Sequence, residues 1–226
     1  MEKDSIAAQS GNKILKLNNL NFINNSFILI VSKRNSGKTV LTKNLIYVLY
    51  QKYNYDSIIL FSETAHFNTD YNFLPKNCVF KFNKIEQQIK KILDYSANKR
   101  KLKKKFHILI ILDDVILNNK SIYLNLISWL GRHHFITCIC SVQYCKGLIS
   151  SVIRNNLDYI FFSDVGYVQI EALYECIWTN LNKKEFIKYI YDNNNNYNFL
   201  MYDSKEKERK DRLKIVHADI LELKFY

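Results

Sequence analysis

The sequence predicts an α/β fold with a mainly parallel central sheet. Short apolar runs recur along the chain, among them 27–31 (FILIV), 57–61 (SIILF) and 107–112 (HILIIL). Between them lie stretches with apolar residues at helical spacing, such as Leu41, Leu45, Ile46 and Leu49. Strands alternating with helices over most of a chain give parallel crossovers. At 226 residues the chain can bury a sizeable core as one domain. No repeat and no second boundary is visible, so residues 1–226 read as a single domain.

Taken in order, residues 1–12 are polar and expected to fray. Residues 13–22 are expected to form a short strand and 27–31 the first buried one. Residues 57–61 follow as a strand ending in the polar turn Ser62-Glu63-Thr64. Residues 67–77 hold the only proline and read as loop, with a short strand at 79–82. A helix is expected over 85–93, where Ile85, Ile89, Ile92 and Leu93 share a face. The strand at 107–112 is the most apolar of the chain. A helix at 121–130, a strand at 135–142 (FITCICSV), a short helix at 148–153 and a strand at 159–162 (YIFF) come next. Helices are expected at 168–178 and 183–191 and a loop at 193–196. Strands at 199–202 and 213–216 would pair, making 193–226 a C-terminal extension or hairpin.

Lys and Arg total 33 against 21 Asp and Glu, a formal charge of +12. Such a balance suits a polyanionic partner, or simply a basic surface that keeps the chain in solution. The run Lys99-Arg100-Lys101-Leu102-Lys103-Lys104-Lys105 reads either as a phosphate-backbone contact or as a solvated turn. Five scattered cysteines without metal spacing are expected as buried thiols of a reducing compartment. The polar N-terminus carries no secretory signal, and no apolar run approaches the roughly 20 residues that span a bilayer. A soluble protein with no membrane partner is expected.

The chemistry concentrates in residues 27–41 (FILIVSKRNSGKTVL). An apolar strand stops at Ser32, and Gly37, Lys38 and Thr39 follow five residues later at the start of a helical pattern. Strand, loop and helix in this order are the context of a P-loop, which wraps a triphosphate in backbone N–H groups at a helix N-terminus. Ser32, Lys33, Arg34, Asn35, Ser36, Gly37, Lys38, Thr39 and Val40 are therefore the expected ATP-binding residues. Lys38 would reach the β- and γ-phosphates, and the Thr39 hydroxyl would ligate Mg²⁺. Ser32 stands where the usual pattern has glycine, which is possible if its φ stays negative.

A P-loop needs an acid at the tip of a neighbouring strand. HILIILDD supplies Asp113 for the metal and Asp114 to polarise a water. Gln143 follows the strand 135–142 directly and could bridge a γ-phosphate oxygen and that water. Arg132, in Gly131-Arg132-His133-His134, and Arg154, in Ile153-Arg154-Asn155-Asn156, are the candidates for a guanidinium delivered to a neighbouring subunit's γ-phosphate. Salt bridges or a helix C-terminal charge would explain them equally. His133 and His134 have no partner at metal spacing.

The order SKRNSGKT after FILIV, FSET, ILDD, GRHH before a strand, SVQ, IRNN and YIFF resembles the genome-packaging ATPases of large DNA viruses and virophages. These form the poxvirus-like branch of the FtsK–HerA superfamily of P-loop ATPases. The resemblance runs from residue 27 to 162. It implies a three-layer P-loop NTPase fold whose core strands lie in the order 5-1-4-3-2, counted from the P-loop strand, plus extra C-terminal strands. It implies Arg132 as the trans finger, with Asp114 in place of the Glu of wider relatives. It further implies a homo-oligomeric ring, pentamer or hexamer, that moves double-stranded DNA into a preformed capsid. The partners would be DNA and a capsid vertex or other virion protein, and the location the virion or a cytoplasmic viral factory. Two other readings stand beside this motor. One is a P-loop kinase of a small metabolite or nucleotide, which would want an Arg-rich lid. The other is a binding module that keeps the loop for structure alone, against which the intact Lys38, Thr39, Asp113 and Asp114 speak.

Overall fold

The computed structural model describes residues 14–115, 122–147, 149–193, 197–220 and 223. In chain order the elements are β1 (Ile14–Lys16), β2 (Phe27–Ser32), α1 (Lys38–Tyr53), β3 (Ser57–Phe61), β4 (Val79–Phe80), α2 (Ile85–Lys101) and β5 (Ile108–Leu112). Then come α3 (Ile122–Leu130), β6 (Ile136–Val142), α4 (Ser151–Asn156), β7 (Tyr159–Ser163), α5 (Tyr167–Tyr174), α6 (Lys183–Asn193), β8 (Asn198–Asp203) and β9 (Leu213–His217). Among the described residues, nine strands join one sheet in the order β1-β9-β8-β7-β2-β6-β5-β3-β4. Pairing is parallel except where β8 runs against β7 and β9. Counted from β2, the central five read 5-1-4-3-2.

The β2 side chains alternate between the two faces. Phe27, Leu29 and Val31 enter one apolar layer with α2 to α6. Ile28 and Ile30 enter the other, under α1 and beside Phe22, Phe199 and Met201. All of β2, β5, β6 and β7 is buried, as helices on both faces of a parallel sheet require. No helix among the described residues is long and apolar enough to cross a membrane.

Several boundaries differ from the expected ones. The helix expected to end at 93 runs to Lys101, because its buried face continues through a polar residue. Ser96 is buried, and its Oγ donates to the His134 carbonyl at 2.7 Å. The first half of the basic run is thus helix end. The helix expected at 148–153 begins at Ser151, where Ser150 Oγ accepts from the Ile153 N–H as an N-cap. The helix expected to reach 178 ends at Tyr174. Cys176 and Ile177 stay in the core after the chain has left the helix, so the apolar pattern outlasts it. β1 is three residues, followed by a 3-10 turn over Leu17–Asn19. The fraying expected at 1–12 and the loop at 194–196 fall outside the described residues.

Candidate active site

Ser32, Asp113, Asp114 and Gln143 sit where strands end. Ser32 closes β2, paired with Ser163 of β7. Its Oγ donates to the Ser163 carbonyl at 2.5 Å and lies 2.5 Å from Ser36 Oγ. This tie to β7 is one a glycine could not make. Ser36 Oγ in turn donates to the Lys33 carbonyl at 2.6 Å. The loop turns through left-handed backbone at Asn35 (φ 61°) and Gly37 (φ 88°), which Asn and Gly tolerate. Helix α1 then starts at Lys38 with neither a side-chain cap nor an acidic residue in its first turn. Its leading N–H groups and its dipole favour an anion there.

Lys38 Nζ is buried and donates to the carbonyls of Ser32 at 2.8 Å and Lys33 at 2.7 Å. Burial lowers its pKa, while Asp114 and Asp113 pull the other way. Asp113 follows β5, and its N–H donates to the Phe61 carbonyl of β3 at 2.9 Å. Burial pushes its carboxyl pKa up, countered by Ser141. Asp114 takes a left-handed turn (φ 53°), and its Oδ2 accepts from Gln143 Nε2 at 2.6 Å.

The structure therefore brings Lys38, Asp113, Asp114 and Gln143 together at the carboxyl edge of β2, β5 and β6. Two further residues belong to this group that the sequence did not single out. Ser141 Oγ donates to Asp113 Oδ1 at 3.0 Å and accepts from the Asp114 N–H at 2.9 Å. It fixes both acids from β6, and its one trace in the sequence is a hydroxyl inside an apolar run. Tyr71 is buried beside Asp113, which adds to burial in pushing its pKa far up. Its hydroxyl has no partner at full hydrogen-bonding geometry. The Lys43–Asp70 pair at 3.1 Å holds the neighbouring residue against α1.

The arginines stand apart. Arg132 precedes β6, at the amino edge, and pairs with the wholly buried Asp158. A strand of 7 residues at about 3.3 Å each puts roughly 20 Å between that edge and Lys38. Arg154, on α4, makes a 3.8 Å pair with Glu175. Neither enters the site of its own chain. The basic run also lies at the amino edge, ahead of β5. There Arg100 donates to the His133 carbonyl at 3.3 Å, and Lys99 sits over the Tyr95 ring.

Could the residues hold Mg²⁺? Among the described residues no cluster of three His, Cys, Asp or Glu forms an all-protein metal cage. Mg²⁺ at nucleotide sites uses one or two protein oxygens plus phosphates and water. The Asp113 carboxylate and the Thr39 hydroxyl, in the first turn of α1, are donors of that kind, so the site fits the ion.

A phosphate-binding loop after the central strand, with acids on a strand two places away, defines a P-loop NTPase. Residues 15–224 match the family model described as the poxvirus A32 protein. The chain belongs to that family. Among solved structures it is similar to the genome packaging NTPase B204 from Sulfolobus turreted icosahedral virus 2 in complex with ATP-gammaS. The identity is 20%, over 88% of this chain and 100% of that one, with a TM-score of 0.61. B204, the DNA-packaging ATPase from Sulfolobus turreted icosahedral virus, matches at 16% identity over 89% and 100%, with a TM-score of 0.60. ATPases 2 and 3 of EssC from Geobacillus thermodenitrificans match at 16% over 86% and 40%, with a TM-score of 0.59. At these identities the likeness is one of fold. No curated protein sequence matches the chain.

Proposed function

We propose that this protein is an ATP-hydrolysing motor that moves double-stranded DNA, packaging a viral genome into a preformed capsid. One observation carries the reading. A chain of the poxvirus A32 family gathers Lys38, Asp113, Asp114 and Gln143 at one strand edge. The kinase alternative is not favoured, since the similar solved structures include packaging NTPases.

The backbone N–H groups of residues 33–40 cradle the phosphates of ATP. Lys38 leaves its two carbonyls to hold the β- and γ-phosphates. Thr39 and Asp113 would hold Mg²⁺, which when bound would supply positive charge beside the phosphates. Asp114 takes a hydrogen bond from the attacking water and orients it. Gln143 already donates to Asp114, so a rotation toward the γ-phosphate would couple nucleotide state to the position of that acid. Arg132 or Arg154 of a neighbouring subunit completes the site in a homo-oligomeric ring, where such a finger raises turnover about 10³- to 10⁵-fold. Arg132 would act from an orientation fixed by Asp158. DNA is held through its phosphates without regard to sequence, a capsid vertex protein is the docking partner, and the motor works in the virion or the viral factory.

The test is to incubate the full chain with Mg²⁺-ATP, with and without nucleosides and nucleotides as acceptors. Release of inorganic phosphate, indifferent to acceptor and absent in Lys38→Ala, is expected. Phosphoryl transfer to an acceptor would overturn the motor in favour of a kinase.

A further inference from the structure

Two clefts flank the nucleotide-binding loop. The first, of about 370 Å³, touches Lys33 and Arg34 at the start of the loop and reaches Gln143 and Asp164. The second, of about 210 Å³, touches the other end of the loop at Gly37 and Val40. Its far walls are Tyr197, Phe199, His217 and Ile220 of the C-terminal hairpin.

Their positions sort them. Under the proposed function, on which this inference rests, the γ-phosphate faces Asp113, Asp114 and Gln143. These residues follow β5 and β6, on one side of β2. The α-phosphate and nucleoside then leave past the first turn of α1 toward the other side, where β7, β8 and β9 lie. The first cleft lies over the start of the loop, between Gln143 and Tyr144 after β6 and residues 164–169 after β7. The second opens at the nucleoside end.

The second cleft is also built for a flat apolar group. Phe199 is buried, whereas Tyr197 is 69% exposed. A β-carbon at Gly37 would stand 3.6 Å from the Tyr197 ring and 3.7 Å from the Phe199 ring, so both rings rest directly on the loop. Asn44 of α1 fastens the segment after β9 by donating to the Asp219 carbonyl at 2.5 Å and accepting from the Asp219 N–H at 3.3 Å. His217 Nδ1 donates to Asn198 Oδ1 at 2.9 Å. In the neutral ring, Nε2 is then an acceptor.

We infer that this cleft seats the base of the nucleotide, with Tyr197 and Phe199 against its face, Val40 beneath the sugar and His217 selecting adenine. An acceptor at Nε2 suits the exocyclic amino group of adenine and opposes the carbonyl that guanine carries at the same position. The C-terminal hairpin is thereby part of the ATP site.

The experiment measures equilibrium binding of ATP, GTP and inorganic tripolyphosphate to the full chain. Wild type should bind ATP more tightly than GTP or tripolyphosphate. Tyr197→Ala, at an exposed position, should weaken ATP about tenfold, the scale of one base stacked on one ring. It should leave tripolyphosphate unchanged, and Tyr197→Phe should restore ATP. His217→Leu should narrow the gap between ATP and GTP. ATP binding unchanged in Tyr197→Ala, while Lys38→Ala loses both ATP and tripolyphosphate, would keep the phosphate loop and overturn the base cleft. Wild type that binds neither ligand would overturn both.

Discussion

The same strands end in two differently built edges. At the amino edge of β7, the buried charge is paired within the chain. Asp158, wholly buried, accepts from the Phe27 N–H at 2.8 Å and pairs with Arg132 and, at 2.6 Å, with Lys205. Beside it, Thr137 Oγ1 accepts from the Tyr55 hydroxyl at 2.8 Å and the Asn25 N–H at 3.0 Å. At the carboxyl edge, Lys38, Asp113 and Asp114 gather without a salt bridge among the three, beside the exposed Lys33–Asp164 pair at 3.1 Å. Lys38 donates to backbone carbonyls, Asp113 accepts from one serine, and burial works against the charged form of each. The difference teaches what each edge is for. The first ties β2, β6 and β7 together, and the second is arranged for a ligand that brings its own charge.

The largest expected effect separates the edges through activity. Asp113→Asn should abolish Mg²⁺-dependent hydrolysis without weakening the empty fold. Burial raises the Asp113 pKa above its unfolded value. The ionised carboxylate therefore opposes folding at neutral pH, and that opposition fades only as pH falls through the folded value. Thermal unfolding at pH 7 with a chelator should show a midpoint equal to or above wild type. A drop of several degrees would show that Asp113 serves the fold.

The amino edge should behave in the opposite way. Asp158→Ala leaves Arg132, Lys205 and the Phe27 N–H without their acceptor. Arg132 and Lys205 are partly exposed and can be solvated, so the lost hydrogen bonds cost about 3 kcal/mol, several degrees in a chain of this size. Nucleotide affinity of the molecules that remain folded should be unchanged. A midpoint within a degree of wild type would erase the contrast.

Ser141→Ala should be intermediate. It strips a hydroxyl from Asp113 and leaves the Asp114 N–H without that acceptor, at about 1–3 kcal/mol. The result should be a lower midpoint and slower turnover together, read by thermal unfolding and steady-state kinetics. Loss of stability alone would make Ser141 a packing residue.

The smallest expected effect on stability is that of Arg154→Ala, at most about 1 kcal/mol, since its partner pair is exposed and long. Arg132→Lys keeps a charge for Asp158 but loses the planar fork. Whichever of the two abolishes turnover at unchanged midpoint is the residue that acts on the neighbouring subunit.

What was legible in the sequence follows from distance along the chain. The loop at 32–40, Asp113, Asp114 and Gln143 each sit directly after an apolar run, so strand and candidate residue are read together. Ser141 lies inside such a run and looks like part of it. Tyr71 meets Asp113 from a loop with no periodicity to place it. Arg132 was visible as a residue type, but its partner Asp158 lies just ahead of another strand, 26 residues on, and that acid also binds Phe27 at a separation of 131 residues. The pairing of 199–202 with 213–216 was readable as two short strand-like runs on either side of the charged turn 204–212. That this hairpin stands beside β7 and lays Phe199 on Gly37 is a tertiary fact with no local trace.

The most direct test of the account is steady-state ATP hydrolysis by the 226-residue chain, with and without linear double-stranded DNA, at two salt concentrations. A DNA-driven motor held by phosphate contacts predicts hydrolysis that rises with DNA, falls with salt and vanishes in Lys38→Ala. Hydrolysis indifferent to DNA, or persisting in Lys38→Ala, would contradict it.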